Sequence, residues 1–343
     1  MPWLDDAVAA TLASTRGHAT LVHAAPGIGA FEFALELARG WLCESAATKP
    51  CGRCGSCHLI DTHVHPDLFL LLPEDQRRSR AWLLADDKAE GDEAKRKPSR
   101  QIRVDEVRAL IDWSHKTAAR GRAKVALLHP AEAINVTAAS ALLKTLEEPP
   151  LGTRLVLTAA DPAALLATVL SRCQRVQLPQ PPAEVAAAWL TGQGVARPEA
   201  LLAATCGRPL DALAMSAAGI DAAAWRALPR AIAAGQTQAL AGWGVPMWLD
   251  ALHKLCHDAL ARSVGGVPRY FAAEDVPAGA SLPALLAWSR ELSRVTRDAD
   301  HPWNEALLLD ALVGQGRRAL SPPQPHPPGS GRSRAQGAAT LGR

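Results

Sequence analysis

Four short apolar runs recur in the first half of this 343-residue chain, each separated from the next by a stretch with helical spacing. They read ATLVHAA (19–25), DLFLLLP (67–73), AKVALLH (123–129) and TRLVLTA (153–159). None keeps the strict polar–apolar alternation of a strand with one wet face, so each is expected to be a strand buried on both faces. Between them, FEFALELARGWLCE (31–44) places Phe33, Leu37 and Trp41, with Ala34, Ala38 and Leu42, at helical spacing. VDEVRALIDWSHKTA (104–118) does the same through Val104, Val107, Leu110 and Ile111, and TAASALLKTLEEPP (137–150) is a helix ended by Pro149 and Pro150. Strands alternating with helices imply a parallel sheet covered on both faces, with ligands bound beyond the C-terminal ends of its strands. After Pro179 the strand signal stops. Residues 183 to 318 are rich in Ala and Leu at helical spacing, so the fold class is α/β plus all-α. Residues 74 to 100 are mostly charged and read as a partly flexible surface excursion. Residues 321 to 343 have the composition of a disordered tail.

Cys43, Cys51, Cys54 and Cys57 crowd into CESAATKPCGRCGSC, two overlapping C-x-x-C steps with glycines at 52 and 55. Three cysteines within seven residues are poorly explained by core packing. Four thiolates at ~2.3 Å around a tetrahedral ion make a closed, structural Zn²⁺ site. The rival, an iron–sulfur cluster, asks for C-x₂-C-x₂-C-x₃-C-P. Here His58 follows Cys57 and the fourth thiol lies upstream, which favours zinc. His58, His63 and His65 read as loop histidines that compete for the metal only as a lesser alternative. The other thiols should be reduced. No apolar run nears the ~18 residues of a membrane span, and the start MPWLDDAVAA lacks a basic-then-apolar leader, so a soluble, cytoplasmic protein without membrane partners is expected.

HAAPGIGAF (23–31), just after the first strand, has the frame of a phosphate-binding loop without its chemistry. The loop G-x-x-x-x-G-K-[ST] cradles phosphates on backbone N–H groups and supplies a lysine and a Mg²⁺-binding hydroxyl. Pro26, Gly27, Ile28 and Gly29 keep the turn. Ala24 stands at the first glycine, Ala30 at the lysine and Phe31 at the hydroxyl. A second strand should end in an acid for Mg²⁺, yet KVALLHPAE offers His129 and Pro130, with Glu132 later. Ala159 and Ala160 stand where a polar side chain would orient water. With the lysine, hydroxyl, acid and polar sensor missing together, the degenerate loop Pro26–Ala30 is expected to bind no cofactor for catalysis and to hydrolyse no ATP.

AASALLKTLEEPP (138–150) followed by LLATVLSRC (165–173), together with the degenerate loop and the cysteine insert, resembles the AAA+ clamp-loader family of bacterial DNA polymerase III. The motifs cover about residues 1 to 215; beyond that the likeness rests on helical content and length. It implies an AAA+ P-loop-type parallel sheet domain over 1–178 with a zinc insert at 43–66, a helical lid over 179–218 and a helical collar over 219–320, before the tail at 321–343. It also implies a non-catalytic subunit of a five-subunit clamp loader, beside tau/gamma-type ATPase subunits and a delta subunit, acting on the sliding clamp and primed DNA through that complex. Ser171, Arg172 and Cys173 match the family's S-R-C motif, whose arginine reaches ATP held by the neighbouring subunit. GRPLDAL (207–213) lies where the family's second sensor helix begins; without ATP in its own site, Arg208 is expected only to start a helix. Two alternatives remain. An active gamma/tau-type ATPase would need the lysine that Ala30 replaces. A zinc-dependent DNA-binding module would need a basic field that a formal charge of +3 does not supply.

Overall fold

The computed structural model describes residues 1–82, 98–298 and 304–322. Five parallel strands lie in the order β2-β3-β4-β1-β5: β1 (Ala19–His23), β2 (Leu68–Leu71), β3 (Lys124–Leu128), β4 (Thr153–Ala159) and β5 (Gln174–Gln177). The first four are the apolar runs. The fifth, QRVQ, is mostly exposed and pairs only with β1. A strand at the sheet edge needs no apolar run, and hydrophobicity alone could not reveal it.

The pleat splits each central strand between two cores. Val22, Val125, Leu127 and Val156 share one with Leu4 and Val8 of α1 (Pro2–Ser14) and Phe33 and Leu37 of α2 (Ala30–Leu42). Leu21, Ala126, Leu128, Leu155 and Leu157 share the other with Val107 and Leu110 of α5 (Val104–Ser114) and Leu142 and Leu146 of α6 (Val136–Glu147). Burial on both faces is why these strands read as continuous apolar runs. Three short helices complete this layer: α3 (Gly55–Asp61), α4 (Glu74–Ser79) and α7 (Ala167–Leu170).

Helix α4 corrects the expectation of a surface excursion at its start. Glu74 and Arg77 are only 8% and 4% exposed. The Arg77 guanidinium donates to the Leu72 carbonyl at 2.6 Å and to Glu106 at 2.7 Å. Paired in this way, charged residues can be buried, which a reading by charge content misses. Residues 83–97 of that stretch and the tail beyond Pro322 lie outside the described residues.

Three helices follow the sheet, α8 (Ala183–Gly192), α9 (Pro198–Ala204) and α10 (Pro209–Ala217). Contacts divide the chain into two units, the first ending at Asp221 and the second beginning at Ala222. The second unit is helical: α11 (Ala222–Ala233), α12 (Val245–Ser263), α13 (Leu282–Arg297) and α14 (Glu305–Leu320). Trp225, Leu252, Leu285, Trp288 and Leu312 fill its core. Trp225 stacks on Phe271 with centroids 4.6 Å apart. This packing role accounts for part of the tryptophan-rich composition. Asp258 is fully buried, and its carboxylate accepts from the backbone N–H groups of Arg269, Tyr270 and Phe271 at 2.8, 2.7 and 2.8 Å. Three charge-assisted bonds offset the cost of burying that charge and tie the loop after α12 to the helix.

Candidate functional site

The turn after β1 depends on two glycines in the left-handed region, Gly27 at φ 75° and Gly29 at φ 109°, where a side chain is strained. It opens a cleft of about 430 Å³ at the C-terminal edge of the sheet, lined by residues following β1, β3 and β4. This is the position expected of a nucleotide site. Its contents are unsuited to phosphate. Phe31 is 5% exposed, and the Arg80 guanidinium lies over its ring, 4.0 Å from the centroid. Arg80 is paired with Glu32 at 3.0 Å, so its charge is already matched. His129 bonds the Thr158 hydroxyl through Nδ1 at 2.6 Å, with Arg80 3.4 Å from Nε2. Burial, with Arg80 adding to it, pushes the His129 imidazole down to about 3, so it is neutral and carries no acid's charge for Mg²⁺. Glu132 also lines the cleft; its Oε1 accepts the backbone N–H groups of Ala160 and Asp161 at 2.6 and 2.8 Å, and its Oε2 is buried without a hydrogen-bond partner among the described residues.

The start of α10 closes over the same turn. The Leu210 N–H donates to the Gly27 carbonyl at 3.1 Å. A Cβ on Gly27 would fall 2.5 Å from Asp211 Oδ1. That carboxylate pairs with Arg208 at 2.9 Å, and Arg208 is the N-cap of α10. A carboxylate against the turn puts negative charge where phosphate would approach. Gly27→Ala is therefore expected to destabilise the first unit by about 1–3 kcal/mol, the usual cost of a strained non-glycine backbone. A melting temperature equal to that of the parent would show that the turn tolerates a side chain.

The cysteines meet. The sulfurs of Cys43, Cys51, Cys54 and Cys57 all lie within 4.8 Å of one another, in a group that could hold a metal ion. Ligand bonds of ~2.3 Å in a tetrahedron put sulfurs roughly 3.8 Å apart, and Cys43 and Cys54 are separated by 3.9 Å. Backbone N–H groups of Cys51 and Glu44 donate to the sulfurs of Cys43 and Cys54 at 3.4 and 3.5 Å. Burial works to raise the Cys54 thiol, but the Glu44 and Cys57 backbone groups and neighbouring thiols bring it down to about 6. Burial and the neighbouring thiols push Cys57 up to about 12. Four thiolates cannot share so small a volume without a cation, and one dication would hold them ionised together. The donor set therefore fits the metal. None of the three nearby histidines joins the cluster. His65 is buried and bonds Ser56 at 3.0 Å, and His63 stacks on Trp82 at 3.7 Å.

The frame of this cluster comes from residues that its motif does not contain. Arg122 donates to the carbonyls of Cys43 and Glu44, at 2.9 Å each. Arg120 pairs with Glu44 and holds its carboxyl below the ordinary range. Buried Asp67 accepts from the Ala119 and Arg120 N–H groups at 2.7 and 2.8 Å, which anchors the arginine loop. More than 70 residues separate these arginines from Cys43 in sequence, and no local signal connects them.

Ser171, Arg172 and Cys173 lie between α7 and β5. In a parallel sheet this is the N-terminal edge, opposite the degenerate turn across the length of β1, roughly 15 Å at ~3.3 Å per residue. An open cleft there is lined by His18, Leu146, Glu147, Ser171 and Arg172. Arg172 is half-buried, paired with Glu147, and donates through Nη1 to the Thr168 carbonyl at 2.8 Å and Ser171 Oγ at 3.2 Å. Burial pushes the Cys173 thiol up to about 11, so it is a packed, protonated thiol rather than a nucleophile. Glu147 is exposed, and its partner is Arg172.

Residues 7–182 match the family described as DNA polymerase III, delta subunit. The chain is 39% identical to DNA polymerase III subunit delta′ of Pseudomonas aeruginosa over 208 residues, 59% of this chain and 57% of the relative. It is 32% identical to DNA polymerase III subunit delta′ of Escherichia coli over 276 residues, 74% of this chain and 76% of the relative. It is also 34% identical to DNA polymerase III subunit tau of Escherichia coli over 162 residues, 47% of this chain and 21% of the relative. The match thus spans just over half the length of the Pseudomonas relative.

Proposed function

This chain belongs to the DNA polymerase III subunit delta′ family, and from that premise we propose that it is a clamp-loader subunit that does not hydrolyse ATP itself. One observation carries the reading. The cleft at the C-terminal sheet edge holds Phe31, the Arg80–Glu32 pair and neutral His129 where nucleotide chemistry needs a lysine, a hydroxyl and a metal-binding acid. The opposite edge presents Arg172. The chain works in a five-subunit complex with tau/gamma-type ATPase subunits and a delta subunit, meets the sliding clamp and primed DNA through that complex, and supplies Arg172 in trans to a neighbour's ATP. A lid over 179–218 and a collar over 219–320 belong to the same reading, the collar as the assembly surface. The ion held by Cys43, Cys51, Cys54 and Cys57 is Zn²⁺ in a structural role: it stabilises the insert, and no ligand position is left for substrate. No helix among the described residues is long and apolar enough to cross a membrane, and the reading places the protein in the cytoplasm.

The test is reconstitution. The purified chain with Mg²⁺-ATP should give background turnover only. Mixed with tau/gamma-type and delta subunits, it should elute with them in gel filtration as a complex whose ATP turnover rises with primed DNA and clamp. Turnover that follows the isolated chain through the column and survives Arg172→Ala would favour an active ATPase instead. Failure to co-elute would remove it from the complex.

A further inference from the structure

We propose that Glu147 is the positioning residue for Arg172; this rests on the reading that Arg172 acts on a partner's nucleotide. The guanidinium has three acceptors within its own chain, and they engage its two terminal nitrogens. Nη1 donates to the Thr168 carbonyl and Ser171 Oγ, and Nη2 is paired with the Glu147 carboxylate. Nε has no bonding partner among the described residues. The open cleft bordered by His18 and Leu146 lies beside the group, so an anion can approach the fork without disturbing its anchors.

Glu147 is set on a rigid base. It is the last residue of α6. Leu142, Thr145 and Leu146 of the preceding turns are buried. The Leu146 carbonyl accepts from His18 Nε2 at 2.6 Å, which couples the end of α6 to the start of β1. A carbonyl can only accept, so Nε2 carries the proton in this contact. The backbone that carries Glu147 is thus held by two elements of the sheet layer.

The pair contributes little to stability, because both partners are in part exposed, at 32% and 47%. Its value is geometric. A free arginine on a surface explores many rotamers, and a fork used in trans must be presented in one of them when the neighbour's phosphate arrives. Fixing it beforehand removes that ordering from the barrier, and a small misplacement costs rate steeply. Thr168 and Ser171 restrain one terminal nitrogen; Glu147 restrains the other. Loss of Glu147 leaves the group on a single tether.

The experiment uses the full chain in the reconstituted complex with its ATPase and delta partners. DNA-stimulated ATP turnover is measured for the parent, Glu147→Gln, Glu147→Asp, Arg172→Ala and the double variant Glu147→Gln with Arg172→Ala. Glu147→Gln should lower kcat roughly 3- to 10-fold while KM for ATP stays within about twofold, the signature of an interaction needed in the transition state. Glu147→Asp should recover part of the loss. In the Arg172→Ala background Glu147→Gln should add nothing, because the two residues act as one unit. If Arg172→Ala turns over normally, the trans-acting reading falls and the positioning role falls with it. If Arg172→Ala is slow while Glu147→Gln is unchanged or faster, only the positioning role is overturned; a faster enzyme would make Glu147 a restraint on Arg172. Equal losses from Glu147→Gln with and without Arg172 would also overturn it, since Glu147 would then act on α6 and not through the arginine.

Discussion

Arg172→Ala is expected to leave the complex assembled and to slow its DNA-stimulated ATP turnover and clamp loading by at least roughly tenfold. A guanidinium supplied in trans is worth roughly 10³ to 10⁵ in rate where it serves the only site. Here the assembly is proposed to hold further ATP sites served by other subunits, so the loss in bulk turnover should be smaller. The substitution removes one charge and up to five donors from a half-buried side chain whose anchors are Glu147, Thr168 and Ser171. None of these belongs to the cysteine cluster or to the second unit, so folding and metal content should be unchanged. Arg172→Lys should rescue poorly: an ammonium cannot keep contacts with Thr168 and Glu147 and present a planar fork to phosphate as well. Measured at saturating and limiting ATP, an alanine variant that assembles and loads clamps at the parent rate would make Arg172 a structural arginine.

Cys54→Ala should abolish stoichiometric metal binding and open residues 43 to 66 to proteases. Three sulfurs and an open position hold zinc less tightly than four, and the energy of a structural site is coupled to the folding of the segment it clips together. Helix α3 has anchors of its own, with Ile60 buried in the core and Arg39 paired with Asp61 at 2.7 Å, so the consequence should centre on the turn at residues 44 to 55. Cys43 and Cys57 are buried, but Gly52, Arg53 and Gly55 are exposed. Arg120 and Arg122 bond only the first residues of the insert, Cys43 and Glu44. Metal analysis of the purified variant, paired with timed proteolysis and mass mapping, reads both effects. Full zinc retention would remove Cys54 from the ligand set. Iron with visible absorbance after anaerobic purification of the parent would replace zinc by a cluster.

Some features of this protein are fixed by neighbours in sequence, and those were legible there. The four buried strands show as apolar runs because both faces of a central parallel strand are dry. The missing loop lysine and hydroxyl show as Ala30 and Phe31 in a loop whose Pro26, Gly27, Ile28 and Gly29 keep the turn. The convergence of Cys51, Cys54 and Cys57 follows from C-x-x-C spacing, since two intervening residues, one of them a glycine, are enough to turn one thiol toward the next. The polar edge strand β5 left no such trace, because it has a single neighbour and a wet face. What fills the cleft at the C-terminal sheet edge was decided only by tertiary packing. Arg80, from a stretch that reads as solvated charge, crosses to Phe31 and Glu32, 48 positions away from its acidic partner. Asp211 reaches the turn at Gly27 from the far side of the sheet sequence. Arg120 and Arg122 support a cysteine insert that they do not adjoin, and Glu147 meets Arg172 across the end of a helix and a strand. Ion pairs of this kind carry no periodicity. A charged residue looks the same in sequence whether its partner is water or a carboxylate dozens of residues away, and only the fold brings that partner within bonding distance.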